Sequence, residues 1–397
     1  MYLFSIWKRS LLKRNKAGEN MNVIIAIDSF KGSLSSLDAG MAAAEGIKRA
    51  IPDANIAVRP IADGGEGTVE ALCVALGGIK MSIDVTGPLG EKVKADYGLI
   101  PKTKTAVIEI ASAAGITLIE ENRRNPLNTT SYGVGEIISD AIERGCRNFI
   151  IGIGGSATND GGIGMLQALG FDILNKEGKS VSKFGRGLEE ICSISAENAN
   201  LHLQECTFTI ACDVKNPLCG ELGSSRIYGP QKGADEDTIV KMDKWLSDYA
   251  QNCKLSFPNA NKDAEGAGAA GGLGFAFMTF SNGKLTGGID LILKETRLEE
   301  YIKTADIVVT GEGRLDSQTV MGKAPFGVAS IAKKYGKKVV AFSGCVTKDA
   351  YVCNEHGIDA FFPIVRGASS IEEAMNPDIA FDNMSDTAEQ VFRLINI

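Results

Sequence analysis

Near the start of the chain, "NVIIAID" (22–28) is an apolar run too short for a buried helix and without the polar alternation of a half-wet strand. It leads through "SFKGSLSS" into the amphipathic "LDAGMAAAEGIKRA", and the chain then returns to an apolar run in "NIAVRPIAD". A strand covered on both faces, followed by a helix and another such strand, is a βαβ crossover, which demands a parallel sheet with helices on either side. The C-terminal part repeats the pattern with "ADIVVTGEG", a helix near "APFGVASIAKKYG", then "KKVVAFSG" and "AFFPIV".

The middle has another texture. "KMSIDVTGPLGEKVKADYGLI" and "TAVIEIAS" alternate, with "GPLGE" as a turn between antiparallel strands. A long helix, the glycine-rich run "IGIGGSATNDGGIGM" (151–165) and the strand "FTIACDV" follow, and "DAEGAGAAGGLGFAF" reads as a loop entering a helix. These segments predict an α/β protein of two domains. The doubly wound, parallel-sheet domain is formed by both chain ends (21–77 plus 286–397), and a mixed α/β domain (78–285) is inserted between them.

Residues 1–20 form an extension outside that fold: they carry five Lys/Arg and one acid, against a chain total of -7. Their apolar stretch precedes its charges and is too short for a secretory signal, which favours an upstream start over targeting. A pI near 5.2 leaves no basic face to retain a polyphosphate backbone, so nucleic acid is excluded as a partner. No run approaches the 18 apolar residues of a membrane span. The nine cysteines include no CxxC pair and are expected as reduced, mostly buried thiols of a cytoplasmic protein.

In open α/β sheets ligands sit beyond the carboxyl ends of the strands, which directs attention to the polar residues there. Asp28, Ser29, Lys31 and Ser33 place a carboxylate, a cation and two hydroxyls before a helix N-terminus. Capping alone would explain a serine at 33 or 35, but not Asp28 or Lys31. In "PIADGGEGT", Asp63 and Glu66 suit a Mg²⁺ ion that keeps most of its water, although Asp-Gly-Gly is also a good turn. Asp213 follows the strand "FTIACDV", and "SRIYGPQKGA" supplies Arg226 and Lys232, for which a solvated surface is the ordinary alternative. "TGEGRLDSQTVMGKAP" is the densest polar cluster, with Arg314, Asp316 and Lys323.

Gly152, Gly154 and Ala157 satisfy the GxGxxA dinucleotide fingerprint, which keeps an NAD(P)-dependent oxidoreductase of a small hydroxy acid as an alternative. Against it, Thr158, Asn159 and Asp160 stand before a helix that begins only near Gly161, and no acid is well placed downstream. A loop offering Gly154, Gly155, Ser156, Thr158 and Asn159 to an anion accounts better for the run. "ILNKEGKS" lacks the first glycine of a Walker A motif, and two histidines, His202 and His356, support neither a triad nor a histidine metal centre. Asp, Lys, Arg, Ser/Thr and Gly at strand ends suit phosphoryl transfer, where positioning and charge neutralisation do most of the work.

Seven segments in order carry a resemblance: "DSFKGSLS" (28–35), "PIADGGEGT" (60–68), "GIGGSATNDGG" (152–162), "CDVKNPL" (212–218), "YGPQKGA" (228–234), "GAAGGLG" (268–274), and "GEGRLDSQT" with "GKAP" (311–325). From Asn22 onward the chain resembles the glycerate kinase family of bacterial glycolate and glucarate breakdown. The resemblance implies ATP-dependent phosphorylation of D-glycerate with Mg²⁺, 2-phosphoglycerate favoured over the 3-phospho isomer, and a Rossmann-like first domain beside a second α/β domain. It supplies no residue roles, which rest on local chemistry. Asp213 or Asp316 is the candidate base, with Lys31 beside it in catalysis. Asp28, Ser29, Ser33, the 154–159 loop, Lys232, Arg314 and Lys323 are candidates for substrate or phosphate, and Asp63 and Glu66 for Mg²⁺. The cleft is expected between the domains. The oligomeric state is left open, a homo-oligomer among the options.

Overall fold

The computed structural model describes residues 20–397, so the proposed 1–20 extension lies almost entirely outside the described residues. Thirteen strands run in chain order as β1 (Asn22–Ile27), β2 (Asn55–Val58), β3 (Ile79–Thr86), β4 (Lys92–Ile100), β5 (Thr105–Glu109), β6 (Asn148–Gly152) and β7 (Asp172–Leu174). They continue as β8 (Ser193–Ser195), β9 (Thr207–Ala211), β10 (Lys284–Thr286), β11 (Ile307–Leu315), β12 (Lys338–Val346) and β13 (Ala360–Pro363).

The first sheet has the order β13-β12-β11-β1-β2, all parallel, and so joins the two ends of the chain. The centres of β1, β11 and β12 are apolar because both faces are covered. Val23, Ile25, Ile27, Val309 and Phe342 pack against the Ser36–Ala50 and Pro377–Ile395 helices through Ala39, Ala43, Ile47 and Phe392. Ile24, Ala26, Val308 and Ala341 point the other way, onto Val328, Ala329 and Ile302. Alternation by one residue along each strand thus feeds two separate cores.

The second sheet, β10-β9-β6-β5-β4-β3, is mixed. β3 and β4 pair antiparallel down to Thr86 opposite Lys92, closing on the "GPLGE" turn, β4 and β5 are antiparallel too, and β5, β6, β9 and β10 run parallel, while β7 and β8 form a separate antiparallel pair. β3 and β4 alternate in burial as their sequence does, since only one of their faces is covered. A large core on one side holds Ile137, Ile138, Ile151 and Ile210, with Phe149 stacked on Phe208 at 4.8 Å.

The opposite side of this sheet meets a helix that belongs, by chain order, to the first sheet. Thr68–Leu76 follows β2, yet Val69 and Leu72 sit in one apolar cluster with Val107 and Ile150 of the second sheet and with Ile24 and Val308 of the first. The two sheets therefore share a core, and their strand ends face a common space.

All nine cysteines are free. Four are buried, three are half-buried, and Cys192 and Cys345 are exposed, so the expectation of mostly buried thiols is corrected. Cys345 lies late in β12, in the stretch where that strand emerges from its buried centre.

Candidate active site

A cleft of about 1230 Å³ opens at the carboxyl ends of β5, β6 and β9 and is walled by the loop that precedes the Thr68–Leu76 helix. It collects Lys31, Asp63, Glu66, Gly154, Gly155, Ser156, Asp213 and Lys232 from the residues the sequence singled out. Asp28, Ser29, Ser33, Thr158, Asn159, Arg314, Asp316 and Lys323 do not line it.

The loop carrying Asp63 is seated by close backbone approaches. Gly64 adopts φ +90°, and a Cβ there would stand 2.7 Å from the Ala211 side chain, while one on Gly152 would meet the Gly64 carbonyl oxygen at 2.2 Å. Only glycine fits both places. Asp63 thereby comes beside Asp213, whose Oδ1 accepts the backbone N–H of Gly288 at 2.8 Å and caps the Gly288–Glu295 helix. Burial, with Asp63 and Asp290 nearby, raises the Asp213 carboxyl above its ordinary range.

Behind them lies Asp28, 7% exposed, accepting the Ser29 N–H at 2.7 Å. Burial first, and then the charge of Asp63, push it up to about 7. Lys31 reaches Asp63 only at 4.0 Å and is 68% exposed, which makes it a weak counterion for three acids. Ser29 and Ser33 have buried hydroxyl oxygens without a partner, and the helix cap is Ser35, which accepts from Asp38 N.

Next to the loop carrying Asp63, the glycine-rich run divides in two. Gly154 and Gly155 are exposed to the cleft and the nearly buried Ser156 still lines it, whereas Ala157 to Asp160 turn inward. Asn159 is committed to the interior: its amide nitrogen donates to Ser225 Oγ and its oxygen accepts from Ser224 Oγ, both at 2.8 Å. Asp160 accepts from Ser131 N and Oγ and from the N–H groups of Gly162 and Gly164. The Thr158 hydroxyl is buried without a partner, and the Thr158 carbonyl accepts from Lys232 Nζ at 2.6 Å. Lys232, 3% exposed, also donates to Ser156 Oγ at 3.0 Å, and burial pushes its ammonium down to about 7.

This geometry removes the dinucleotide reading. Ile163–Ala168 is the helix after β6, opening at Gly162, five residues past the GxGxxA segment. Ser156 instead bridges Gly115, and Ala157 N–H donates to Ala114, so no helix N-terminus stands where a pyrophosphate would need it.

The dense cluster after β11 is neutralised internally. Lys323 reaches Glu312 at 3.4 Å and Asp316 at 3.5 Å, Arg314 reaches Asp316 at 3.3 Å, and Thr319 Oγ1 donates to Glu312 at 2.6 Å. Asp316 Oδ1 further accepts Gln318 N–H, which leaves it less available as a base than Asp213.

Three cleft acids, Glu70, Asp96 and Glu109, escaped the sequence reading. Glu109 ends β5, is pushed up to about 7 by burial, and accepts Val69 N–H at 2.8 Å. Its only signal was a charged residue closing an apolar strand, in "TAVIEIAS". Among the described residues no group of three His, Cys, Asp or Glu is arranged around a metal, and no helix is long and apolar enough to cross a membrane.

Residues 23–396 match the glycerate kinase family. The chain is 46% identical to glycerate 2-kinase of Escherichia coli, covering 94% of this chain and 97% of that one. It is 45% identical to glycerate kinase of Haemophilus influenzae, over 94% and 99% of the two chains. A crystal structure from Salmonella typhimurium LT2, of a chain designated glycerate kinase 2, superposes with a TM-score of 0.87 at 42% identity, over 95% of this chain and 99% of the other. A cleft of strand-end acids facing a glycine loop, in a chain matched from end to end of its described fold, places this protein in the glycerate kinase family.

Proposed function

We propose that this chain transfers the γ-phosphoryl group of ATP to D-glycerate, with 2-phosphoglycerate as the product. The carrying observation is that Asp63, Asp213, the Gly154–Ser156 loop and Lys232 line one cleft. Asp213 has one carboxylate oxygen held by Gly288, which fixes its direction, and leaves the other to take the proton of the attacking hydroxyl. The raised affinity of that carboxyl for a proton suits a base. Exposed Gly154 and Gly155 offer backbone N–H groups, and Lys232 offers charge, to the substrate carboxylate or the transferred phosphoryl group.

The donor set fits Mg²⁺. Asp63 raises both Asp28 and Asp213, so three carboxylates share one field with little cationic compensation. A Mg²⁺ ion takes one or two carboxylates and keeps several waters, so a full protein cage is not needed. Asp63 would hold it, with the buried Asp28 behind adding negative field, and it would neutralise charge on the phosphates. Glu66 lines the same cleft as Asp63 and is a further candidate ligand.

Two domains, divided at 77/78 and 285/286, follow the two larger sheets except that the second boundary falls inside β10 (Lys284–Thr286), whose last residue still pairs with the second sheet, and the parallel sheet is Rossmann-like. Nine free thiols suit the reducing cytoplasm. The test is a coupled assay of ADP release with D-glycerate and Mg-ATP, followed by phosphorus NMR of the product. Glycerate-dependent turnover with phosphate on O2 is expected. No glycerate-dependent ADP would overturn the activity, and a 3-phospho product would overturn the regiochemistry.

A further inference from the structure

The Thr68–Leu76 helix begins without a cap of its own. Its N-cap position is Gly67, at φ +90°, and no side chain from that segment accepts its first N–H groups. Free N–H groups at a helix start need a partner. The partner comes from the other sheet: Glu109, last residue of β5 and opposite Gly152 of β6, accepts Val69 N–H at 2.8 Å. The N–H groups of Gly67 and Thr68 also face that carboxylate.

The loop leading into this helix presents Asp63 and Glu66 to the cleft, and it comes from β2 of the first sheet. Its first half is pressed against the second sheet by Gly64 and Gly152, and a Cβ on Gly288 would stand 1.9 Å from the Asp63 carbonyl oxygen. Its second half is held at Gly67–Val69 by Glu109. A carboxylate facing three N–H groups at a helix start gains from both the hydrogen bonds and the macrodipole.

We infer that Glu109 is a positioning residue, which clips the 63–69 segment of the first sheet to the second and so sets Asp63 opposite Asp213. It touches no reacting atom. The inference rests on the proposed kinase activity for its kinetic consequence but not for its structural one.

The test uses the full chain and two variants, Glu109→Ala and Glu109→Gln, with two readouts. Amide hydrogen exchange of the 63–69 segment should quicken at least tenfold in Glu109→Ala, while peptides of β1 and β11 keep their wild-type rates. The kcat with saturating Mg-ATP should fall at least tenfold, with KM for D-glycerate within threefold. Glu109→Gln, which retains one acceptor oxygen, should recover part of both. Unchanged exchange at 63–69, or quickening spread equally over β1 and β11, would overturn the inference. So would a kcat within twofold of wild type in Glu109→Ala. A wild-type protein inactive on glycerate strikes the kinase reading alone, because the exchange readout needs no turnover.

Discussion

Asp213 and Lys232 both line the cleft, and each is held by bonds that limit what it can do. Asp213→Asn keeps the shape and an acceptor for Gly288 N–H but cannot take a proton. It should lower kcat roughly 10²–10⁴-fold with glycerate binding retained, as removal of a general base does; a variant with wild-type kcat would return the role to another acid. Lys232 carries a pH signature. Its folded value, about 7, lies below the ordinary 10.5, so between these the unfolded chain binds more protons and stability rises with pH. Lys232→Met removes that titration. The thermal midpoint of the wild type should therefore gain on that of the variant as pH goes from 7 toward 10. Parallel curves would show that the ammonium is not desolvated. Asp28 has the opposite sense, since its raised value makes stability fall as pH rises from about 4 to about 7.

At the scale of elements, two loops seat the chemistry: the one from β2 into the Thr68–Leu76 helix, and the one after β6. The first rests on Gly152, where even a methyl group collides with the Gly64 carbonyl oxygen. Gly152→Ala should cost about 1–3 kcal/mol, as overpacking does, and displace Asp63. Chemical denaturation and kcat would read the two effects, and an unaffected kcat would show that the loop is not seated there. Leu72, fully buried at the junction of the two sheets, should cost about 2–5 kcal/mol when cut to alanine, by cavity formation. Much of this level was legible in advance. "GPLGE" as an antiparallel turn, the helix after "DAEGAGAAGG" and the buried parallel strands all follow from period and turn chemistry. The inward turn of Thr158, Asn159 and Asp160 was not, because the Asn159 and Asp160 side chains are claimed by Ser131, Ser224 and Ser225 and the Thr158 carbonyl by Lys232, up to 74 positions away.

For the whole molecule, the two sheets meet in one shared core and open on a common cleft. Ligands that bind there should raise the thermal midpoint by mass action. Mg-ATP and D-glycerate together are expected to do so and NADH is not; protection by NADH alone would reopen the oxidoreductase reading that the geometry after β6 removes.

By itself the sequence determined the longer strands, the parallel company of those at the chain ends, the antiparallel β3–β4 pair, most of the acids and glycines at strand ends, and the family resemblance, because these are set by short-range period, turn chemistry and ordered motifs. Only the tertiary structure decided which polar groups share a space. It drew Asp63, Asp213 and Lys232 into one cleft, left Arg314, Asp316 and Lys323 neutralising one another outside its lining, and brought Glu109 to a helix that lacks its own cap. Partners in these cases lie far apart along the chain, and burial and charge pairing depend on the distances that folding creates rather than on any local pattern.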